Sequence, residues 1–422
     1  MTATVIQTRP EPAPAPTCQG CGARLTRTLV DLGTQPLANS YIPIDRAGDP
    51  EPVFPLHARV CDGCLLVQVD RVTAPEAIFN DRYAYFSSFS QSWLDHCRAY
   101  ADAMTARFGL GPESRVVEIA SNDGYMLQYF VEKGIPVLGI EPAANVAAAA
   151  AAKGVPTEIA FFGADTAARL AATGWSADLL AAKNVMAHVP DINDFVAGIP
   201  VILKPRGVFT VEFPHLLNLI REVQFDTIYH EHFTYLSLLA VKAIFERHGL
   251  AIFDVEKQAT HGGSLRVFAA RADAGYPESV NVERLLAEER AAGLARPEGY
   301  AGFAERVAAV RSELRAFLRG AREAGRSVAG YGAAAKGNTL LNYCGATRQD
   351  IRFVVDRNPA KQDTLLPGSH IPVRDPSAID AERPDYVLIL PWNLREEIIA
   401  QIPQVTGWGG QFVTAIPSVR IG

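Results

Sequence analysis

Val116-Val117-Glu118-Ile119-Ala120-Ser121-Asn122-Asp123-Gly124-Tyr125-Met126-Leu127 is the stretch that decides the fold. An apolar strand runs to Glu118, and a turn of small residues through Ala120, Asn122 and Gly124 then opens an amphipathic helix. The next apolar run, Val137-Leu138-Gly139-Ile140, ends in an acid, Glu141, 23 residues after Glu118. Strand, tight turn, helix and an acid on the second strand tip make the first half of a doubly wound nucleotide site. Small residues let backbone approach a ligand closely, and a carboxylate at Glu141 accepts both hydroxyls of a ribose. The turn reads E-x-A-x-N-x-G rather than G-x-G-x-x-G, which fits S-adenosylmethionine better than NAD.

From about residue 111 to 273 such units repeat, with strands predicted at 115–120, 137–141, 156–160, 179–183, 208–213, 253–255 and 265–269. The last two are joined without a helix, which matches a parallel α/β sheet ending in an antiparallel edge pair. Residues just past the carboxyl ends of such strands line the ligand crevice. Asn184 and His188, in the run after the fourth strand, are therefore candidates for cofactor and substrate contact. After the fifth strand comes Tyr229-His230-Glu231-His232-Phe233-Thr234-Tyr235, which resembles no core pattern. Histidine suits proton transfer near neutrality. The competing reading is a metal held by H-x-H, which lacks a third ligand in clear register.

Upstream, four of six cysteines fall as Cys18-x2-Cys21 and Cys61-x2-Cys64, with 39 residues between the pairs. Two such knuckles close a four-thiolate zinc site. Disulfides or a redox pair are disfavoured without a secretion signal. With all four positions filled by sulfur, the zinc is structural. Cys97 and Cys344 read as buried small hydrophobes. Tyr83-Ala84-Tyr85-Phe86-Ser87-Ser88-Phe89-Ser90 offers tyrosines and hydroxyls, Ser88 among them, for a sugar site or for a domain joint.

Downstream, Thr260-His261-Gly262-Gly263-Ser264 precedes the last strand and is placed to close over the site. Two charged helices are predicted at about 279–292 and 302–324, the second with helical apolar spacing at Phe303, Val307, Val310, Leu314 and Leu318. A second α/β unit opens at Ser327-Val328-Ala329-Gly330-Tyr331-Gly332-Ala333-Ala334-Ala335-Lys336-Gly337-Asn338. There, amides at a helix N-terminus face an anion, and Lys336 adds a point charge. That turn alone does not choose between NAD, a nucleotide diphosphate and no ligand.

The chain has 422 residues, 48% apolar and 20% charged, with a net charge of −6. It is long enough for about three domains, and its charge argues against a nucleic-acid partner. No apolar run reaches the 18 or more residues of a membrane span. Residues 1–17, with alternating Pro and Ala, read as a disordered tail. The division expected is a zinc-binding domain at 18–80, a donor-binding α/β domain at 81–275 and a helical linker plus Rossmann-like domain at 276–422. A cytoplasmic monomer with no membrane partner is expected.

Together these motifs resemble the S-adenosylmethionine-dependent C-methyltransferases that act on nucleotide-linked deoxysugars in antibiotic sugar biosynthesis. The carriers are the paired C-x2-C knuckles, the Glu118–Gly124 turn, the Tyr229–His232 run and the 330–338 loop, and the match runs from about Cys18 to Val419. The resemblance implies a class I methyltransferase Rossmann-like core between a small zinc domain and a C-terminal Rossmann-like domain. Its substrate is similar to a thymidine diphosphate (TDP) 4-keto-2,6-dideoxyhexose, methylated at C3. By that resemblance Glu118, Ala120, Asn122, Gly124, Glu141 and Asn184 hold the methyl donor. Tyr83, His188, Tyr229, Glu231 and His232 surround the sugar, and the C-terminal domain, through Gly332, Lys336 and Asn338, helps hold the nucleotide, with Ser88 also on the substrate side.

The C3 hydrogen of such a sugar is acidic because it lies beside the C4 ketone. His232 is the expected base, Glu231 the partner of a sugar hydroxyl or of the imidazole, and Tyr229, Tyr83 and His188 the donors to the oxyanion. No catalytic metal is required. Rival readings are a C5-methylating relative, an enzyme that also reduces sugars with NAD(P)H through the 330–337 loop, and a non-catalytic scaffold.

Overall fold

A computed structural model describes residues 16–72 and 87–422. Tyr83 and most of the expected N-terminal tail lie outside the described residues.

The central sheet has seven strands: Val116–Ile119, Val137–Ile140, Thr157–Glu158, Ala177–Lys183, Leu203–Pro214, Leu250–Gln258 and Ser264–Arg271. Across the sheet their order is sixth, seventh, fifth, fourth, first, second, third. The last strand is inserted between the fifth and sixth and pairs antiparallel with both, so it alone runs against the rest. The sixth and seventh strands form the expected antiparallel pair at one edge of the sheet. Local pattern identifies a strand, whereas its neighbours are chosen by packing. The strand Val116–Ile119 has the second strand on one side and the fourth on the other. It is the switch point at whose carboxyl end a ligand crevice opens.

The turn that follows does not lead straight into a helix. Ala120, Asn122 and Gly124 all have positive φ, at 55°, 47° and 74°, and regular helix is confined to Gln128–Val131. A left-handed conformation costs a residue with a Cβ roughly 1–2 kcal/mol, so two non-glycine residues held there mark a backbone shaped for something other than stability. At Gly124 an added Cβ would press within 3.3 Å of the Ala150 backbone.

The N-terminal sheet contains Arg27–Pro36, Val53–Val60 and Val67–Val69, and its fourth strand is Thr234–Tyr235 from the far end of the Tyr229–Tyr235 run. The C-terminal sheet is built on parallel strands around Val328–Tyr331, and one of its edges is completed by Ile42–Pro43. Two short strands thus cross the boundaries drawn from sequence. One continuous apolar core joins Leu29, Leu56 and Val67 of the first sheet to Phe303, Val307 and Leu314 of a long helix and to Val328 and Leu388 of the last sheet. That helix, Phe303–Glu323, lies where apolar spacing placed it, and Val280–Ala291 falls within the other predicted helix. Among the described residues, no helix is long and apolar enough to cross a membrane.

Candidate active site

A cavity of about 320 Å³ opens at the switch point. Ala120, Asn122, Glu141, Asn184 and His188 all line it. Glu141 is buried, and its two oxygens accept from the amides of Asn122, at 3.1 Å, and Ala143, at 2.9 Å. The carboxylate therefore fixes the turn while facing the cavity. Burial raises its pKa, and the two amides oppose that rise. Asn184 is a third non-glycine residue at positive φ, 53°. Its Nδ2 lies 3.0 Å from His261 Nε2, while its buried Oδ1 has no partner in the protein. An orphaned acceptor beside a ribose-type acid, at a sheet switch point, fits a ligand with both a ribose and a cationic end. S-adenosylmethionine has both.

Glu118 does not line the cavity; it lies wholly buried beneath it. Burial lifts its carboxyl well above the usual range, against the opposing pull of the Tyr125 hydroxyl and Lys183. Sequence reasoning missed the network next to it. Glu212 is contacted by Lys183, by His96 Nε2 at 2.8 Å and by Arg266 Nε at 2.7 Å. Burial alone would raise Glu212, but Lys183, the His96 hydrogen bond and Arg266 outweigh it and hold it well below the ordinary carboxylate range. His96 stacks on Trp93, which lines the cavity, with ring centroids 5.1 Å apart. Of this charged network, Lys183 reaches the cavity lining.

The Tyr229–Tyr235 run is held from several sides. Phe233 N donates to Ala187 O, next to His188, and Val69 N donates to Phe233 O. His230, read from sequence as part of a polar cluster, packs away from it, with Nε2 3.1 Å from Pro55 O. His232 faces inward. Its Nδ1 lies 2.9 Å from Thr227 O; a carbonyl only accepts, so Nδ1 carries the proton. Its Nε2 therefore presents a lone pair, to which the Tyr229 hydroxyl donates at 2.6 Å. The His188 ring stands edge-on to His232 at 4.6 Å, with the Glu231 carbonyl as a hydrogen-bond partner. Burial lowers His188 to about 4 and His232 well below its ordinary value. Both imidazoles are neutral at pH 7. Glu231 does not orient the imidazole; its carboxylate is held instead by Asn39.

The C-terminal unit meets this run from the other side. Buried Asp226 accepts from Trp392 Nε1 at 2.7 Å, while burial raises its carboxyl to about 6 against the nearby Lys336. Lys336 donates to Asn393 Oδ1 at 2.7 Å. The Trp392 ring fills the space where Gly262 lacks a Cβ; one added there would meet it at 2.4 Å. Adjacent His261 is the residue that touches Asn184. Asn338 reaches across to Ala38 O at 2.6 Å, and Gly332, at φ 88°, packs on Pro391. Ser88 stands apart from the histidine cluster, accepting from Lys153 at 2.6 Å beside Asp123.

The four cysteine sulfurs lie within 4.8 Å of one another. Two cross-knuckle pairs are 3.5 Å apart, far beyond a disulfide's length of about 2.05 Å. They are near the ~3.8 Å edge of a tetrahedron with arms of about 2.3 Å. Gly20 N, Gly63 N and Gln68 Nε2 point at the sulfurs from 3.2–3.3 Å, as donors to thiolates do. The site fits zinc with no position left for a substrate.

Comparison with known proteins gives three family models in chain order. A zinc-binding domain matches residues 18–79, a methyltransferase domain 92–255 and a C-methyltransferase C-terminal domain 259–417. The C-methyltransferase NovU of Streptomyces niveus is 39% identical over 408 residues, 97% of each chain. A ubiquinone biosynthesis O-methyltransferase of Rhodopseudomonas palustris (strain BisA53) is 26% identical over 149 residues, 30% of this chain and 59% of that one. The magnesium protoporphyrin IX methyltransferase of Synechocystis PCC 6803, solved with bound S-adenosylmethionine, is 14% identical. It covers 43% of this chain and 79% of its own, with a TM-score of 0.32.

Proposed function

From a chain that belongs to the C-methyltransferase family and is an S-adenosylmethionine-dependent enzyme, we propose methylation of a TDP-linked 4-keto-deoxyhexose at C3, in antibiotic deoxysugar biosynthesis. The observation that carries this reading is the fixed tautomer of His232. A half-buried neutral imidazole, with its lone pair turned to a tyrosine hydroxyl, beside a donor cavity lined by His188, is equipped to take a proton from carbon. Methylating an existing oxygen or nitrogen nucleophile makes no such demand.

When bound, S-adenosylmethionine supplies an electrophilic sulfonium methyl. Glu141 would take the ribose and Asn184 Oδ1 the cationic end, in the cavity that His188 also lines. The C3–H bond of the sugar breaks as its proton passes to the Tyr229 oxygen while the tyrosine's own proton moves to His232 Nε2. The electrons left behind would form the enolate, the nucleophile for the methyl that bound S-adenosylmethionine would give up as its S–CH3 bond breaks to leave S-adenosylhomocysteine. Neutral His188 spends its one N–H on the Glu231 carbonyl, so it orients that residue beside His232 rather than donating to the oxyanion, and Glu231 binds a sugar hydroxyl. The pKa of His232, depressed by burial, is restored in part by the negative charge that an anionic substrate brings. We assign Lys336 and Asn338, where the C-terminal unit meets this run, to the nucleotide, and Ser88, which accepts from Lys153 Nζ, to the substrate.

The test is to supply the purified protein with labelled S-adenosylmethionine and a panel of TDP-4-ketosugars, then locate the label by NMR. Label on C3 is the expected result. Label on C5 would move the reaction to the other side of the ketone. Transfer to oxygen would refute the reading.

A further inference from the structure

We propose that Asn39, carried on the N-terminal domain, is a positioning residue of the methyl-transfer site: its carboxamide holds the Glu231 carboxylate in place for the sugar. This rests on the reading of the Tyr229–His232 run as the sugar site.

Asn39 is exposed and Glu231 is buried, so the amide lies over the carboxylate from the open side. Its Nδ2 is 2.7 Å from Oε1 and 2.9 Å from Oε2. One NH₂ spanning both oxygens matches the ionised group; a protonated carboxyl would set an O–H against an N–H. The segment that presents Asn39 cannot drift. Ala38 O accepts from Asn338, the Tyr41 hydroxyl donates to Ala333 O at 2.5 Å, and Ile42–Pro43 pairs with Thr364–Leu365. At the other end, Glu231 directly precedes His232, and its own carbonyl is a partner of the His188 ring.

A purely structural joint would not choose a buried carboxylate, because an apolar or amide side chain of similar size does that work without desolvating a charge. Burial raises Glu231 to about 7, and Asn39 and the nearby Lys361 pull against that rise. The other ionisable groups facing it are the Tyr41 phenol and, beyond Lys361, Asp356, whose Oδ2 is 3.8 Å from the Lys361 amine. Glu231 therefore titrates near neutrality, and one amide from another domain tips it toward the ionised form. No local sequence signal links the two residues, 192 positions apart.

The test uses the full zinc-loaded chain with S-adenosylmethionine and a TDP-4-keto-2,6-dideoxyhexose, comparing Asn39→Ala, Asn39→Asp, Glu231→Gln, the double variant Asn39→Ala/Glu231→Gln, and Tyr41→Phe. Asn39→Ala should keep calorimetric affinity for the donor and lose about 10- to 100-fold in kcat/KM for the sugar, the range for a hydrogen bond to a charged group. The acid limb of its pH profile should move to higher pH, since loss of the donor raises Glu231. Asn39→Asp, unchanged in size, should move that limb further, and it decides the matter should Asn39→Ala fail to fold. The double variant should fall no lower than Glu231→Gln alone. Tyr41→Phe, on the same segment but off the carboxylate, should lower thermal stability and leave the limb in place. Wild-type kcat/KM with an unmoved limb in the Asn39 variants, or losses that multiply in the double variant, would overturn the proposal. Full activity of Glu231→Gln would instead sink the sugar-site reading beneath it.

Discussion

His232→Asn separates the base from the fold. The asparagine Nδ2 falls near the place of the imidazole Nδ1 and keeps the bond to Thr227 O, 2.9 Å in the native chain. What disappears is Nε2, and with it the acceptor of the Tyr229 hydroxyl at 2.6 Å. Tyr229 is only part-buried, so orphaning its hydroxyl should cost about 1 kcal/mol of stability, the low end for an unsatisfied group. The loss of catalysis should be larger, since general-base assistance is worth about 10²–10⁴-fold, or about 3–5 kcal/mol of barrier. The double variant His232→Asn/Tyr229→Phe removes the orphan and should regain stability without regaining rate. Exchange of the sugar's C3 hydrogen with heavy water, with S-adenosylhomocysteine in the donor cavity, isolates the proton step. It should stop in His232→Asn and slow strongly in Tyr229→Phe. Exchange at the native rate in His232→Asn would refute His232 as the base. Native exchange in Tyr229→Phe alone would leave the base standing and remove the tyrosine from the proton's path.

Three further outcomes follow from the same geometry. Glu141→Ala should weaken S-adenosylmethionine binding by about 1.5–3 kcal/mol, read by calorimetry, because it removes the ribose acceptor and frees the Asn122 amide; unchanged affinity would take Glu141 out of the site. Cys61→Ser should lose zinc by metal analysis and, because Val67–Val69 pairs with Thr234–Tyr235, lose methyl transfer as well; a folded, active, zinc-free variant would refute the link. Asp226, raised from 3.8 to about 6 in the fold, makes a contribution to stability that is fully present below the unfolded value and is lost as pH rises through about 6. Asp226→Asn should therefore be the more stable chain at pH 7.5, by on the order of 1–2 kcal/mol, with the gain shrinking toward pH 4; a pH-independent difference in melting temperature would contradict this.

The central strands were legible because each is an apolar run ending in a polar tip, and Glu141 and Asn184 could be placed from those tips alone. The zinc ligands were legible because two sulfurs at C-x2-C spacing have few other uses. Positive φ at Ala120 was not, since alanine has no local preference for it; the conformation is imposed by Glu141, whose carboxylate holds the next turn amide but one. The roles within the Tyr229–His232 run were also hidden. Four polar residues in a row do not reveal that His230 turns to Pro55 O or that Thr227 O fixes the His232 tautomer. Asn39, Glu212 with its cations, and Trp392 each act through partners far away in sequence, where periodicity carries no information.

The placement of these distant partners argues that the three sheets hold the Tyr229–Tyr235 run as one body. Gln68 shows the coupling at its smallest scale. Its Nε2 donates to Cys18 Sγ at 3.2 Å, its Oε1 accepts from Gln19 N, and its backbone pairs with Thr234, two residues after His232. A structural metal thus sets one end of the Tyr229–Tyr235 run. The other end is set by Trp392, which binds Asp226 just before Thr227 and props Gly262 beside the residue that touches Asn184. A methyltransferase domain cut at its sequence boundaries would keep the donor cavity, built from its own strand tips. It would lose the pairing of Thr234–Tyr235, the partner of Asp226 and the donor to Glu231. Donor binding should survive such a cut while proton abstraction does not, because the first depends on one sheet and the second on three.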